Sequence, residues 1–203
     1  LVMGFLGNSH FGLEDIAVMR AIAGLTVVCP ADCGEIVKTV HAAAAFDGPM
    51  YIRLTGGPNC PVVYTDDYDF EIGKAIELKQ GRNVALVANG SMVAPALAAT
   101  EELEKLGIST GVYNFHTVKP LDIEMLSKIC NNYEVVFTVE EHSVVGGLGS
   151  AVAEATSAWK YRPPVHLHGL PDAFGKTGEY EFLLRRYGLT AQGIFDKVRT
   201  LVS

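Results

Sequence analysis

Residues 25–54 read LTVVCPADCGEIVKTVHAAAAFDGPMYIRL, and this stretch decides the fold class. Leu25–Cys29 is a short apolar run rich in β-branched residues, which predicts a buried strand. The following Pro-Ala-Asp turn leads into a predicted helix, with Asp32 as its N-cap and Glu35 three positions later. Met50–Leu54 predicts the next strand. A strand, a helix and a strand at this spacing are typical of a parallel β-α-β unit.

The residues before this unit continue the alternation. Leu1–Leu6 is apolar and predicts a strand, and the glycine-bracketed loop 7–12 follows it. Glu14–Ala23 predicts a helix that Gly24 ends. A terminal strand needs partners, and the sequence does not begin with methionine. We therefore expect a longer polypeptide upstream, with residues 1–58 forming the carboxyl-terminal half of an α/β domain.

The rest of the chain predicts a complete second domain. Residues 59–73 are expected to be a linker, because the stretch Thr55–Tyr68 is rich in Gly, Pro and Asp, and residues 74–203 are expected to form the domain. The predicted strands are Lys74–Lys79, Val84–Ala88, Ser109–Phe115, Glu134–Val139 and Val165–Leu167. The predicted helices are one capped by Ser91 and running to Leu106, then Asp122–Cys130, Gly147–Trp159, Tyr180–Tyr187 and Gln192–Val202. The expected fold is a three-layer αβα arrangement around a mostly parallel five-stranded sheet.

Composition excludes several classes of protein. Hydrophobic residues make up 49% and charged residues 19% of the 203 residues, which excludes a disordered chain. The net charge of −7, with no basic cluster, argues against a nucleic-acid or anionic-membrane partner. No apolar run approaches the ~20 residues of a membrane span, and no signal-peptide pattern is present. With the four cysteines interpreted as reduced thiols, we expect a cytoplasmic protein.

Two residues of the first domain are candidates for chemistry. His10 lies in the loop 7–12, after a predicted strand, at the edge where open α/β sheets bind ligands. Its imidazole can hydrogen-bond a substrate oxygen or move a proton near neutral pH; the alternative is that it only satisfies backbone groups of the loop. Arg53, in an apolar strand, is either a buried ion-pair anchor or an anion ligand.

A third candidate is the sequence Glu140-Glu141-His142 followed by the glycine-rich stretch 146–150. Carboxylates and a histidine at the end of a strand are compatible with a polar site, and a helix N-terminus favours anions. The glycine spacing is not that of a dinucleotide-binding fingerprint, so packing or an interface is the competing interpretation. No metal site is predicted, because no histidine or cysteine pair has further ligands near it in the sequence.

Several segments in register resemble the transketolase family. In the first domain they match the second half of the family's pyrimidine-binding domain, and in the second they match its C-terminal domain. The matching segments are Gly7–His10, Glu14–Arg20, Val28–Asp32 with Glu35, Gly48–Arg53, Val139–His142, Gly146–Ser150, Gly169–Phe174 and Tyr187–Thr190.

The resemblance implies a thiamine-diphosphate enzyme, with Mg²⁺, that transfers a two-carbon ketol unit between sugars. It implies that His10 is a catalytic residue and that Leu6, Asn8 and Arg53 lie at the rim of the substrate pocket. Two positions depart from the family pattern. Leu6 replaces an aspartate that contacts a substrate hydroxyl, and Gly56 replaces an arginine that binds phosphate. The donor sugar is therefore expected to be unphosphorylated or unusual, or to have its phosphate bound elsewhere.

The resemblance also implies what this chain lacks. It contains neither the family's G-D-G…N motif for diphosphate and metal nor the glutamate that activates the cofactor. Those groups are expected on an upstream segment and on a partner subunit. The 203 residues alone are therefore expected to bind no cofactor and to be inactive. The expected assembly is a homodimer, with a separate N-terminal transketolase subunit as a further option.

Three alternatives stay open at this point. The first is 1-deoxyxylulose-5-phosphate synthase, which has both domains but decarboxylates pyruvate. The second is the β subunit of a 2-oxoacid dehydrogenase. The third belongs to another class, a non-catalytic dimerisation module.

Overall fold

The computed structural model of the chain describes residues 1–54 and 60–202. Within these residues there are eight strands: β1 Thr26–Val28, β2 Met50–Ile52, β3 Ile76–Lys79, β4 Val84–Ala88, β5 Thr110–Asn114, β6 Thr117–Lys119, β7 Val135–Ser143 and β8 Val165–Leu170. The same residues form seven α-helices: α1 Asp15–Ala21, α2 Cys33–Ala44, α3 Val93–Lys105, α4 Ile123–Asn132, α5 Leu148–Thr156, α6 Tyr180–Tyr187 and α7 Ala191–Val202. No helix in the described ranges combines the length and apolar composition that crossing a membrane needs.

The larger sheet has five strands in the order β3-β5-β4-β7-β8. Strands β5, β4, β7 and β8 run parallel to their neighbours, and β3 pairs with β5 antiparallel at one edge. The predicted five-stranded, mostly parallel sheet is therefore confirmed. Its parallel carboxyl ends all open toward one edge of the molecule, which is where sheets of this kind place polar side chains.

Strand β4 shows why the fold has three layers. All five of its residues are fully buried, which requires cover on both faces of the sheet. Val84 and Leu86 pack in one cluster with α3 and α7, whereas Ala85 and Val87 pack in another with α4 and α5. Successive strand residues point to opposite faces, so the continuous apolar run predicts helices on both sides. The three-layer αβα fold class is confirmed.

The smaller sheet has the order β2-β1-β6. Strands β1 and β2 are parallel, as the sequence predicts, but β6 was not predicted and pairs with β1 antiparallel. It lies between β5 and α4, so the part of the chain predicted as a second domain contributes a strand to the first sheet. Lys119 strengthens this link by donating to the carbonyls of Arg20 and Ile22, at 2.9 and 2.6 Å. Three residues followed by proline are too short to be recognised as a strand.

The N-terminal residues differ from their prediction. Leu1–Leu6 is not a strand; the structure has 3-10 turns at Gly4–Leu6 and Asn8–His10. Backbone hydrogen bonds within the turns, such as Gly7 N–H to the Gly4 carbonyl at 3.0 Å, replace a strand ladder. Gly7 has φ of +80°, which permits the chain to reverse between the two turns.

Asp32 is the N-cap of α2, as predicted. Its Oδ1 accepts from the Glu35 backbone N–H at 2.8 Å, and the Glu35 carboxylate accepts from the Ala31 N–H at 2.6 Å. The second oxygen of Asp32 accepts from the N–H groups of Val63 and Tyr64, at 2.8 and 3.2 Å. One carboxylate therefore caps the N-terminus of α2 and also holds the connecting segment. This segment has no helix or strand from residue 60 to 75.

Ser91 does not cap α3, and that prediction was wrong. A 3-10 turn at Gly90–Met92 precedes the helix, and Met92 takes the N-cap position. The Ser91 hydroxyl instead donates to the carboxylate of Glu141 across the sheet edge. The hydrogen bond to a buried carboxylate is charge-assisted, and such bonds are stronger than neutral ones, so it directs the Ser91 side chain toward Glu141. The predicted boundaries at 58/59 and 73/74 stay a prediction, since residues 55–59 lie outside the described ranges.

Candidate functional site

A polar cavity of about 280 Å³ lies at the ends of β2 and β7, on the side of the N-terminal turns. Four parts of the chain form its wall: the N-terminal segment, the first turn of α1, the end of β2 with the residues after it, and the last part of β7. Its lining residues are Leu1, Val2, Met3, His10, Phe11, Gly12, Asp15, Tyr51, Arg53, Leu54 and Glu141. Two of the predicted site residues, His10 and Arg53, are therefore in the same cavity wall.

His10 lies in the second 3-10 turn, with its side chain exposed at the cavity. Its Nδ1 is 2.8 Å from the hydroxyl of Ser9. This hydrogen bond fixes the orientation of the imidazole, and because a hydroxyl can donate or accept, it is compatible with either tautomer. The arrangement suits a histidine that offers Nε2 to a bound molecule.

Leu6 and Asn8, predicted at the pocket rim, do not line this cavity. Leu6 is 44% exposed in the first turn, and Asn8 is exposed beside the loop that contains Gly175. Both remain within the same short N-terminal segment as His10. Their role at a substrate pocket stays a prediction, and the predicted loss of a phosphate-binding arginine at Gly56 concerns a position outside the described residues.

Arg53 is buried, and two of its three guanidinium nitrogens donate to protein atoms. Its Nε donates to Asp15 Oδ2 at 2.7 Å, and one Nη donates to the carbonyls of Glu141 at 3.0 Å and Gly12 at 3.4 Å. Of the two interpretations that the sequence leaves open, this geometry favours the ion-pair anchor. The guanidinium closes the cavity wall and has its hydrogen bonds directed at protein atoms.

Asp15 is the centre of the polar wall. Its Oδ2 also accepts from the Tyr51 hydroxyl at 2.8 Å. Burial opposes ionisation of Asp15, but the charge and hydrogen bond of Arg53 outweigh it, so the pKa of this carboxyl lies below its usual value. Burial and the Asp15 carboxylate raise the pKa of Tyr51 to about 12, so the hydroxyl keeps the proton that it donates.

The Glu140 carboxylate lies against the backbone of the glycine-rich stretch that follows it. Its two oxygens accept from the backbone N–H groups of Leu148 and Gly149, at 2.6 and 2.9 Å, and so cap α5. A Cβ on Gly147 would lie 1.9 Å from the carboxylate, so only glycine fits there. Burial raises the pKa of Glu140 to about 7 although both N–H groups favour the carboxylate. The helix N-terminus is occupied by the protein itself, which favours the packing interpretation for Glu140 and the glycine-rich stretch.

Glu141 and His142 point in different directions from the same strand. The Glu141 carboxylate accepts from the hydroxyls of Ser91 and of Tyr180, the latter at 2.7 Å, and so joins α6 to the sheet edge. His142 is fully buried, with its Nε2 accepting from the Ala17 backbone N–H at 3.3 Å and its Nδ1 donating to the Ser143 carbonyl at 2.7 Å. Burial lowers the pKa of His142, which is therefore neutral at pH 7.

Sequence reasoning missed Asp15 and Tyr51 as members of the cavity wall. Tyr51 and Arg53 are two residues apart in and just after β2, so their side chains leave the same face. This spacing is a signal that the sequence contains. Asp15 lies in the first turn of the predicted helix Glu14–Ala23, and no local pattern indicates its partner 38 residues away.

The described residues do not by themselves form a metal or diphosphate site. In ranges 1–54 and 60–202, no group of three or more His, Cys, Asp and Glu residues is placed to hold a metal ion. Arg53, the cation of the cavity wall, is paired with Asp15. The described residues alone therefore do not form a site for Mg²⁺.

Comparison with known proteins defines the class. Residues 73–194 match the family model for the transketolase C-terminal domain, and residues 1–57 match that for the transketolase pyrimidine-binding domain. Together the two models cover most of the chain. The chain belongs to the transketolase family, and the resemblance seen in its sequence is confirmed.

Three relatives place it within the family. A 6-deoxy-6-sulfo-D-fructose transketolase subunit from Clostridium sp. (strain MSTE9) is 40% identical over 93% of this chain and 58% of that protein. The 1-deoxy-D-xylulose-5-phosphate synthase of Caldanaerobacter subterraneus subsp. tengcongensis is 36% identical over 97% of this chain and 32% of that enzyme. A solved structure described as a split gene transketolase, inactive β4 tetramer, has a TM-score of 0.85 and 42% identity, covering 95% of this chain and 62% of that one. The chain thus spans little more than half the length of the subunits it matches.

Proposed function

We propose that this chain is part of a transketolase that transfers a two-carbon ketol unit between sugars, with thiamine diphosphate and Mg²⁺ as cofactors. The observation that supports this most is that His10, Tyr51 and Arg53 line one polar cavity at the strand ends. The cavity belongs to a chain that is 40% identical to a transketolase subunit over 93% of its length. The cofactor supplies the carbon–carbon chemistry, and this chain binds and orients the sugar.

His10 is the proposed catalytic residue. A sugar presents hydroxyl and carbonyl oxygens, and the imidazole at the cavity can donate to such an oxygen or accept its proton. Leu6 and Asn8 lie in the same N-terminal segment as His10, outside the cavity lining, and we propose that they border the bound sugar. The proposed donor is a ketose whose distal end differs from that of common sugar phosphates; the Clostridium relative, named for a sulfonated fructose, is a precedent for such a difference.

The proposed active unit is an assembly. The relatives are longer than this chain, and a relative described as an inactive β4 tetramer is named for a split gene. We infer that these 203 residues alone are inactive, that the polypeptide containing them self-associates, and that a separate N-terminal subunit completes the site. The ligands of the diphosphate and of Mg²⁺ then lie outside the residues described above.

Reconstitution tests the proposal. The complete polypeptide that contains this chain is mixed with an N-terminal transketolase subunit, thiamine diphosphate and Mg²⁺. D-xylulose 5-phosphate, D-xylulose and 6-deoxy-6-sulfo-D-fructose are offered as donors, and D-ribose 5-phosphate as acceptor. Mass spectrometry should detect a product two carbons longer than the acceptor, and only when both subunits are present. No such product from any donor, with cofactor shown to be bound, would contradict ketol transfer.

The synthase reaction is the second candidate, because the Caldanaerobacter enzyme is 36% identical over 97% of this chain. It differs from ketol transfer in its donor, since the synthase decarboxylates pyruvate. The same preparation is therefore given labelled pyruvate with D-glyceraldehyde 3-phosphate. Release of labelled CO₂ without transfer from the ketoses would favour the synthase, and the reverse result would favour transketolase.

A further inference from the structure

We propose that His142 is a positioning residue for the polar cavity: it holds the start of α1, and through Asp15 it fixes the Arg53 side of the cavity wall. The inference rests on the proposed function of the cavity. It also gives a role to a histidine that the proposed reaction does not otherwise use.

The first contact caps α1 from another part of the chain. The N-cap residue of α1, Glu14, makes no side-chain capping hydrogen bond. The N–H of Ala17, in the first turn, donates to Nε2 of His142, 125 residues later. A backbone N–H can only donate, so Nε2 must accept, and the ring proton is on Nδ1, where the Ser143 carbonyl accepts it. The buried ring therefore has one tautomer and one orientation.

The second contact concerns Asp15, the first residue of α1. Its Oδ2 accepts hydrogen bonds from both Arg53 and Tyr51, whereas its Oδ1 is buried without a hydrogen-bond partner. Oδ1 lies 3.9 Å from Nε2 of His142. The carboxylate thus has all its hydrogen bonds on one side, and the imidazole occupies the other side. Removing the ring would leave space into which Asp15 and the first turn of α1 can move.

The third contact acts on Arg53 directly. The carbonyl of Glu141, the residue before His142, accepts from its guanidinium at 3.0 Å. Adjacent residues of β7 therefore hold both members of the ion pair. Nearby, a Cβ on Gly146 would lie 2.5 Å from Cβ of Ala17, so α1 packs against the loop after β7 without spare room. Such close packing transmits a displacement instead of absorbing it.

The two His142 variants are chosen by whether they can still accept the hydrogen bond from the Ala17 N–H. His142→Gln places an amide oxygen near the position of Nε2 and can still accept from Ala17; His142→Ala cannot. The control is His168→Ala, a buried histidine on the neighbouring strand β8, whose Nε2 bonds to the Gly188 carbonyl at 2.7 Å and which does not line the cavity. Each variant is made in the complete polypeptide and assembled with the N-terminal subunit.

Kinetics gives the first measurement. We expect His142→Ala to raise the KM of the ketose donor by about tenfold or more, with His142→Gln returning it to within about threefold of wild type. His168→Ala should lower the melting temperature and leave KM unchanged. A merely structural role predicts that both alanine variants behave alike. Unchanged KM in His142→Ala, or equal KM in the Ala and Gln variants, would overturn the inference.

Nuclear magnetic resonance of the Arg53 Nε–H gives a second measurement that needs no activity. In the complete, ¹⁵N-arginine-labelled polypeptide this proton should exchange slowly in wild type and His142→Gln, and at least about tenfold faster in His142→Ala. Slow exchange in all variants would overturn the inference, as would fast exchange in wild type. If wild type transfers no ketol unit, the proposed function fails, and the Arg53 exchange rates decide the positioning role by themselves.

Discussion

At the scale of single residues, the pair formed by Asp15 and Arg53 is the electrostatic centre of the site. The Nε–Oδ2 distance is 2.7 Å, and the two side chains are 8% and 18% exposed, Arg53 being the more buried. Removing one partner of a buried pair leaves a charge without compensation. We expect Asp15→Asn to lower the free energy of unfolding by roughly 3–5 kcal/mol at pH 7. Urea unfolding measures this, with the exposed Asp47→Asn as a control that should change little.

The same pair gives a pH dependence. Because Arg53 holds the pKa of Asp15 below its ordinary 3.8, the stabilisation is complete above that value and is lost as the pH falls through the lower, folded-state pKa. The stability difference between wild type and Asp15→Asn should therefore be constant above about pH 5 and shrink below about pH 4. A difference that grows on acidification would mean that the pair is not ionised in the folded protein.

The contacts of Arg53 and of the residues 140–142 could not be predicted from the sequence. Arg53 in an apolar strand indicates a buried partner or a ligand, and the sequence leaves both open because the partner lies 38 residues away. His142 was singled out together with Glu140 and Glu141, but the three side chains separate to contact α1, α5 and α6. Such divergence depends on tertiary packing, which no local spacing encodes.

At the scale of helices and strands, the two aspartate N-caps, Asp32 and Asp122, allow a matched test of stability and of proteolysis. Asp32 caps α2 and also holds Val63 and Tyr64, whereas Asp122 caps α4 and holds Ala75. We expect Asp32→Ala and Asp122→Ala each to cost roughly 1–2 kcal/mol of stability. Only Asp32→Ala should speed proteolytic cleavage between residues 60 and 68. Equal cleavage rates in the two variants would show that Asp32 does not restrain the connecting segment.

Elements with a strong local signal were predicted well. The five buried residues of β4 and the Asp32 cap of α2 each carry their own pattern. The failures were at elements whose structure depends on distant neighbours: β6 forms only because β1 offers an edge, and Leu1–Leu6 forms turns although it is apolar. A Cβ on Gly4 would lie 2.2 Å from the Leu183 side chain, so α6 shapes that segment.

At the scale of the whole molecule, the predicted domains are joined more closely than a linker implies. Strand β6 completes the first sheet from within the second unit, and His142 and Arg20 dock α1 onto it. The polar cavity takes residues from both units. The fold of each unit follows from sequence patterns, whereas their mutual arrangement follows from contacts between residues more than 80 positions apart.

The oligomeric state and the activity of the assembled subunits can be predicted together. We expect the complete polypeptide that contains this chain to form a homo-oligomer without ketol-transfer activity, because a split gene transketolase 42% identical to this chain is described as an inactive β4 tetramer. Titrating in an N-terminal subunit should raise activity until the subunits are equimolar. Light scattering and activity on the same samples measure this. Full activity of the complete polypeptide alone would contradict a split enzyme.

We propose that this chain brings His10 to a ketol-transfer site, and the turnover of two histidine variants tests this role. In the reconstituted enzyme we expect His10→Ala to lower kcat by roughly 10²–10⁴-fold, since a positioned acid–base group contributes that much. His41→Ala, an exposed histidine on α2, should leave kcat unchanged, and both variants should melt within a few degrees of wild type. Equal kcat in wild type and His10→Ala would show that His10 only shapes its turn, and the claim would be wrong.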